Sequence, residues 1–345
     1  MNCTGANIPT SSSMKNYLHY FIHIGLLSLF SILFISSSTA QHFILGNEKI
    51  KVEAGLNFGP TFFLGDLGGN RGKGTTFIKD VNLQLTKVMK GAFISFYPNH
   101  WLGFRLAAQF TYLEGRDEII DTKGEDELYR KQRNLDFKTN MFEAYVAAEV
   151  FPLMLLYGYD EEYNPRYRPY VFIGAGMFTY NPKGTITDQN GNTTWHELAP
   201  LHTEGQGFAE HPDRKPYALT QLNVPVGGGI KYMASERLTL AVELLYRKTF
   251  TDYIDDLSTD YIDPVLFDKY LSPADAMIAK QISDKAFTSF VPGSPRFVPG
   301  YQRGNVKNKD AYFSFVLKLG LRLGDIYDNS FDRSAAKQAR CPARF

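Results

Sequence analysis

One stretch of this 345-residue chain gathers side chains of the kind that hold metals: His196, Glu197, His202, Glu204, Glu210 and His211. Their spacing is not the H-E-x-x-H that sets two imidazoles on one helical face, and no cysteine stands nearby to complete a set. No metal site is expected there. A second group, Asp252, Asp255, Asp256, Asp260 and Asp263, has carboxylates enough for calcium. It lacks the D-x-[DN]-x-[DN]-G order and the closing Glu of a calcium loop, so solvated, turn-capping carboxylates are expected. Gly68 to Gly74 is glycine-rich without a following helical pattern and reads as a loop. Neither a phosphate-cradling G-x-x-x-x-G-K-[ST] nor a G-x-S-x-G elbow occurs. The sequence therefore predicts no cofactor and no catalytic residue.

The charges that do follow a pattern are Glu53, Arg105, Glu143, Glu149, Lys231, Glu243, Arg247, Lys318 and Arg322. Each falls on the polar phase of a segment whose alternate residues are apolar. In Leu238 to Arg247, for example, Leu238, Leu240, Val242, Leu244 and Tyr246 alternate with Thr239, Ala241, Glu243, Leu245 and Arg247. Similar alternation runs through Lys51–Gly59, Leu102–Tyr112, Phe142–Val150 and Phe313–Leu323, and more weakly through Val81–Tyr97, Pro169–Tyr180 and Leu222–Met233. A period of two is the signature of a strand with two unlike faces. Here one face is continuously apolar and the other mixes charge with glycine, as in a barrel with lipid outside and polar side chains within. Four carboxylates and five cations inside a narrow barrel nearly neutralise one another. Charges out of water need partners, so a paired ladder is expected, with a proton or ion path as the functional alternative. A barrel of about eight strands is filled by its own side chains, which predicts a plugged interior.

The connections alternate in length. Pro98-Asn99-His100 and Ala234-Ser235-Glu236 are short, whereas Gly65–Asp80, Glu114–Asn134, Asn181–Gln221 and Thr251–Lys309 are long. Short periplasmic turns and long extracellular loops follow if the mature amino terminus is periplasmic. The connection from Pro152 to Arg168 is too long for that scheme and has no account in the sequence. In the fourth long loop, Ser272-Pro273 opens a helical pattern with a Ser cap and Pro at the first helical position.

Ahead of the strands, Met14-Lys15 and the apolar run Tyr20 to Ile35 precede Ser38 and Ala40. These are the charged, apolar and small-residue parts of a secretory leader. Residues 1–40 are thus expected to be a signal peptide, with the true start at Met14. Residues 41–323 are expected to form the barrel and 324–345 a periplasmic C-terminal tail. Only Cys3 and Cys341 are present, so losing Cys3 with the leader would leave no intrachain disulfide. A net charge of +1 excludes the basic excess of a nucleic-acid binder. The 27 Phe and 21 Tyr tilt the composition towards strands. The fold class read here is all-β, an antiparallel transmembrane β-barrel of about eight strands.

Several segments resemble a known family: Leu64-Gly65-Asp66-Leu67-Gly68-Gly69, Trp101 to Arg105, Leu201-His202-Thr203-Glu204-Gly205-Gln206-Gly207, Phe250 to Asp256 and the ending Cys341-Pro342-Ala343-Arg344-Phe345. It is the Bacteroidota outer-membrane β-barrel family that includes PorG-like proteins associated with type IX secretion. The resemblance implies an outer-membrane anchor or docking component, surrounded by lipid and partnered by another envelope protein. It carries no catalytic motif. Apolar residues within the fourth loop favour docking there, and the partner-binding residues expected are Asp252, Tyr253, Asp255, Asp256, Tyr261, Phe267, Tyr270 and Phe290. An enzyme at the extracellular rim, or a small-solute channel, would be the alternatives. The first needs a clustered acid–base pair such as Asp255 with His202. The second needs a wider barrel.

Overall fold

A computed structural model of the chain describes residues 50–67, 83–120, 125–157, 165–188, 190–286 and 298–323. The leader, the C-terminal tail, Phe290 and Gly68 to Gly74 lie outside them. Eight strands form the wall: β1 (Lys51–Leu64), β2 (Lys87–Tyr97), β3 (Leu102–Arg116), β4 (Asp136–Val150), β5 (Tyr167–Thr179), β8 (Thr220–Met233), β9 (Leu238–Thr249) and β10 (Ala311–Leu323). Between β5 and β8 the third long loop carries a hairpin, β6 (Lys183–Thr187) and β7 (Thr193–Glu197). Each wall strand pairs antiparallel with its neighbours, and β1 pairs with β10 from Val52↔Leu323 to Leu64↔Ala311. The β3–β4 ladder, Leu102↔Val150 to Arg116↔Asp136, joins the two ends of the eight-strand series and leaves the wall without a free edge.

The alternation determines what each face of this wall meets. Leu56, Phe58, Phe104, Leu106, Phe110, Val146, Val171, Ile173, Ile230, Leu240, Val242 and Leu319 point outward and are exposed. Their neighbours Glu53, Arg105, Glu143, Glu149, Lys231, Thr239 and Glu243 point inward and are buried. The ladder has two gaps, each at a proline that has no N–H to donate. The β1–β10 pairing passes from Phe58↔Leu317 to Thr61↔Ser314 over Gly59 and Pro60. The β5–β8 pairing passes from Ile173↔Val226 to Gly176↔Asn223 over Val224 and Pro225. Inward glycines give the large interior side chains their room: a Cβ on Gly227 would lie 2.6 Å from the Phe172 ring.

At one end the turns are tight. In the β8–β9 turn, Ser235 Oγ accepts from Leu238 N at 2.9 Å and Arg237 N at 3.3 Å, which fixes the reversal. The long β4–β5 connection opens there as a one-turn helix, Pro152–Tyr157. At the other end the four long loops gather into a cap with its own apolar core. That core includes Leu67, Leu135, Phe137, Phe178, Leu198, Leu201, Phe208, Ile254, Leu257 and Phe267. In the fourth loop two helices, Val265–Tyr270 and Pro273–Ser283, pack into it. The second is capped by Ser272, whose side chain accepts from Asp275 N, and it buries Ala276, Ala279 and Ile282 along one face. Phe208 stacks on Tyr270 with ring centroids 4.3 Å apart. The β6–β7 hairpin turns where Asp188 Oδ1 accepts from Asn190 N and Asn192 N and Gly191 takes φ of 81°.

Candidate functional site

The interior charges come from strands around the wall, and several of their contacts cross the lumen between strands that are not neighbours. Arg105 of β3 forms a fork with Glu243 of β9, at 3.0 Å from Nη1 to Oε1 and 2.8 Å from Nη2 to Oε2. The same guanidinium bonds Glu149 of the adjacent β4. Lys318 of β10 lies 3.7 Å from Glu149 and 3.6 Å from Glu243, with its ammonium 4.1 Å from the Phe93 ring centroid. Nearer the tight turns, Lys231 of β8 reaches across to Glu53 of β1 at 3.1 Å and to the Tyr97 hydroxyl at 2.5 Å. Tyr97 in turn donates to Glu149 at 3.1 Å, which links the two groups.

A second layer lies towards the cap. Glu143 of β4 accepts from Gln109 at 2.5 Å and Asn223 at 2.7 Å, and Arg247 of β9 stands 3.3 Å away. Arg247 also donates to Ser314 at 2.6 Å, and Ser314 shares a hydrogen bond with Thr61. Arg322 is only half-buried at the turn end, where its guanidinium approaches Met233. Eight of the nine expected interior charges are therefore buried, in two layers, with Arg322 at their margin. A buried ion needs a partner of opposite charge; this arrangement supplies one to each of the eight, although Lys318 Nζ and Arg247 Nε make no hydrogen bond and are held by charge alone. Glu243 is held by Arg105 twice and by the Tyr170 hydroxyl at 2.7 Å. A carboxylate so engaged is poorly placed to move protons. The uncharged partners Tyr97, Tyr170, Gln109 and Asn223 were not singled out from sequence. The phase that marked the charges marks them equally.

The cap holds a second polar cluster, assembled from loops far apart in the chain. Arg133 forks onto Asp117, at 2.7 and 3.0 Å, and donates to the Arg303 and Asp66 carbonyls at 2.6 and 2.8 Å. Arg303 binds Glu204 at 3.0 Å and the Asp256 carbonyl at 2.7 Å, while Glu204 accepts from Ser258 N and Thr259 N. Asp255 accepts from Asp66 N at 3.1 Å, Leu67 N at 3.2 Å and Leu257 N at 3.1 Å. Asp256 accepts from the Thr203 and Tyr217 hydroxyls, and Asp252 bonds Ser258.

These contacts correct the expectation of solvated carboxylates: Asp252, Asp255 and Asp256 are buried, while Asp260 is half-buried and Asp263 exposed. Burial is the leading cause that raises their proton affinity. It pushes Asp252 up to about 7 and Asp256 up to about 6, the latter against the pull of Arg303. Asp255 and Asp310 go well above the usual carboxylate range, chiefly through burial, with the charge of Asp66 near Asp255 and that of Asp255 near Asp310 adding to it. Tyr261 and Phe267 are buried too, and Tyr253 and Tyr270 are half-buried. Of the residues expected to meet a partner, those described pack within the cap, and Phe290 lies outside the described residues. Among the described residues the loop's exposed apolar surface lies elsewhere, at Val265, Met277, Val298, Tyr301 and Val306. Arg133, Arg303 and Asp310 gave no sequence signal, since none follows a period or a motif. The histidine-rich stretch is split as well: His196 bonds Thr194 in the hairpin, while Glu204 is committed to Arg303. Among the described residues no group of three His, Cys, Asp or Glu is placed to hold a metal.

No protein-family model matches the chain, and no curated protein matches it. Among solved structures, a major outer membrane protein from Thermus thermophilus aligns at 12% identity and a TM-score of 0.37, over 80% of this chain and all (100%) of that one. OprG from Pseudomonas aeruginosa aligns at 10% identity and a TM-score of 0.32, over 79% of this chain and 96% of its own. Ail, the attachment invasion locus protein of Yersinia pestis, aligns at 8% identity and a TM-score of 0.30, over 79% and 99%.

Proposed function

We propose that this chain is a non-enzymatic integral protein of a bacterial outer membrane, serving as an anchor whose cap docks another envelope protein. The observation that carries the reading is one wall with two opposite environments. Its outer phase is apolar and exposed around the barrel, and its inner phase is tied across the lumen by ion pairs. An apolar belt of that kind calls for lipid. An interior closed by Arg105–Glu243 and Lys231–Glu53 favours a support over a conduit. The folded cap is the natural seat of recognition, because loops this long are usually functional and a rigid surface loses little freedom on binding. The resemblance to PorG-like proteins, carried by Leu201 to Gly207 and Phe250 to Asp256, favours the type IX secretion machinery as the partner complex.

The docking surface would use exposed side chains, chiefly Val265, 66% exposed, and Met277, 63% exposed. A photo-crosslinking amino acid at either position, in cells of the native host, should give a discrete adduct with one envelope protein. The same probe at buried Phe267 should give none. If no adduct forms at Val265, Met277, Tyr301 or Val306, the docking role fails. In planar bilayers the purified protein should show no steady conductance, and a stable open channel would replace the anchor reading with a pore.

A further inference from the structure

Three connections lie at the turn end of the barrel, and they differ in chemistry. Two are short and polar, Pro98-Asn99-His100 and Ala234-Ser235-Glu236. The third begins Phe151-Pro152-Leu153-Met154-Leu155-Leu156-Tyr157, seven residues without a charge, folded as the one-turn helix Pro152–Tyr157. Phe151 and Met154, three apart, are buried in the barrel's interior cluster. Phe151 packs edge-on to Tyr97 and lies 5.4 Å from the Tyr170 ring. On the remaining side Leu156 is 68%, Tyr157 55% and Leu155 42% exposed.

We propose that this helix lies in the inner leaflet of the membrane, at the boundary between headgroups and acyl chains. Leu155, Leu156 and Tyr157 would face lipid while Phe151 and Met154 stopper the barrel. The inference rests on the membrane reading above. The chain leaves the wall at Val150, the last outward position of β4, and re-enters it at Tyr167, the first of β5. Val150 pairs with the exposed belt residue Val171 and Tyr167 lies four residues beyond Val171 towards the turns, so the connection begins beside the apolar belt and ends at its turn-side limit. Tyr167 is exposed there and pairs with Tyr232 of β8 at 4.9 Å, the placement of an aromatic girdle at headgroup depth. Three consecutive exposed apolar residues continue that belt, whereas in water they would be costly and unlike either neighbouring turn. This also accounts for a connection too long for a simple periplasmic turn.

Site-directed spin labelling tests it in the full-length mature protein with Cys341→Ser, reconstituted into phosphatidylethanolamine/phosphatidylglycerol vesicles. A nitroxide on Leu156→Cys should collide more with oxygen than with a water-soluble nickel chelate, by a ratio several-fold above that of Ser235→Cys in the polar turn. Leu155→Cys provides a second site, and a heat-modifiable gel shift reports folding for each variant. Leu319→Cys, in the belt, is the control. If that control is open to nickel, the membrane reading itself falls. If it is lipid-exposed while Leu156 and Leu155 match Ser235, the proposed interfacial helix is wrong. Low access to both reagents at Leu156 would mean protein covers it, and would overturn the lipid assignment too.

Discussion

Lys231 enters from β8 and finds Glu53 of β1 on the far side of the barrel, with Thr239 completing the carboxylate's contacts at 2.9 Å. Removing one member of such a pair leaves an uncompensated charge in a water-poor interior. Removing both leaves only a small void and a few apolar contacts. The two operations therefore differ more than the count of lost bonds implies. Lys231→Met should cost about 3–5 kcal/mol, because Glu53 is left buried without its cation. Lys231→Met combined with Glu53→Gln should recover most of that loss. Urea unfolding from lipid vesicles, followed by the heat-modifiable gel shift, reads both. Equal loss in the single and double variants would show that the pair's geometry, and not its charge balance, holds this layer. The same logic applies to Glu143, whose amide donors Gln109 and Asn223 would remain if Arg247 were neutralised.

At the scale of the strand, position in the pleat decides what a substitution meets. Leu240 faces outward, and Leu240→Arg should cost about 2–4 kcal/mol if it lies near the bilayer midplane, whereas Leu240→Phe should be close to neutral. Vesicle unfolding of the two variants side by side checks this, and similar stabilities would show that the residue is not in lipid. Thr239, its inward neighbour, is buried against Glu53 and the Gly320 carbonyl, so Arg there has no room and should destabilise as well. The strands were legible because a period of two meets only two environments in a barrel wall. All eight wall segments and the inward phase of their charges could be read from it. The helix Pro273–Ser283 was legible for a local reason, its Ser cap and following Pro. The cap's assembly was not. Asp66 accepts from Asn305 N at 2.5 Å across 239 residues, and Arg303 meets Glu204 across 99, pairings without a local trace. Hence Asp252 to Asp256 read as a solvated acidic loop, although the fold buries it.

The whole molecule combines a wall closed by its ladder with a cap closed by side chains, and only the second depends on carboxylates that resist ionising. Near Asp255 stand Asp66 and Asp252, with Arg133 as the nearby cation, Asp255 in turn acts on Asp310, and Lys309 lies 3.8 Å from Asp252. Arg303 and Glu204 face Asp256. Burial and the crowding of like charges raise these carboxyls above their unfolded values, so folding favours their protonated forms. Their contribution to stability is then full below the ordinary carboxylate range of about 4, and it fades as pH rises through the folded values. For Asp256 and Asp252 those lie at about 6 and about 7. The cap should therefore loosen progressively from about pH 4 to about pH 7 while the barrel, held by backbone bonds and paired ions, stays intact. Limited proteolysis of the reconstituted protein with a protease active across that range should cut the cap faster at the upper end. The heat-modifiable shift of the remaining barrel should not change. Asp252→Asn keeps the shape of the side chain and removes its charge, so it should flatten that dependence. If cap cleavage is independent of pH in the parent protein, or if Asp252→Asn leaves the slope intact, the buried carboxyls are not what ties the cap to proton concentration.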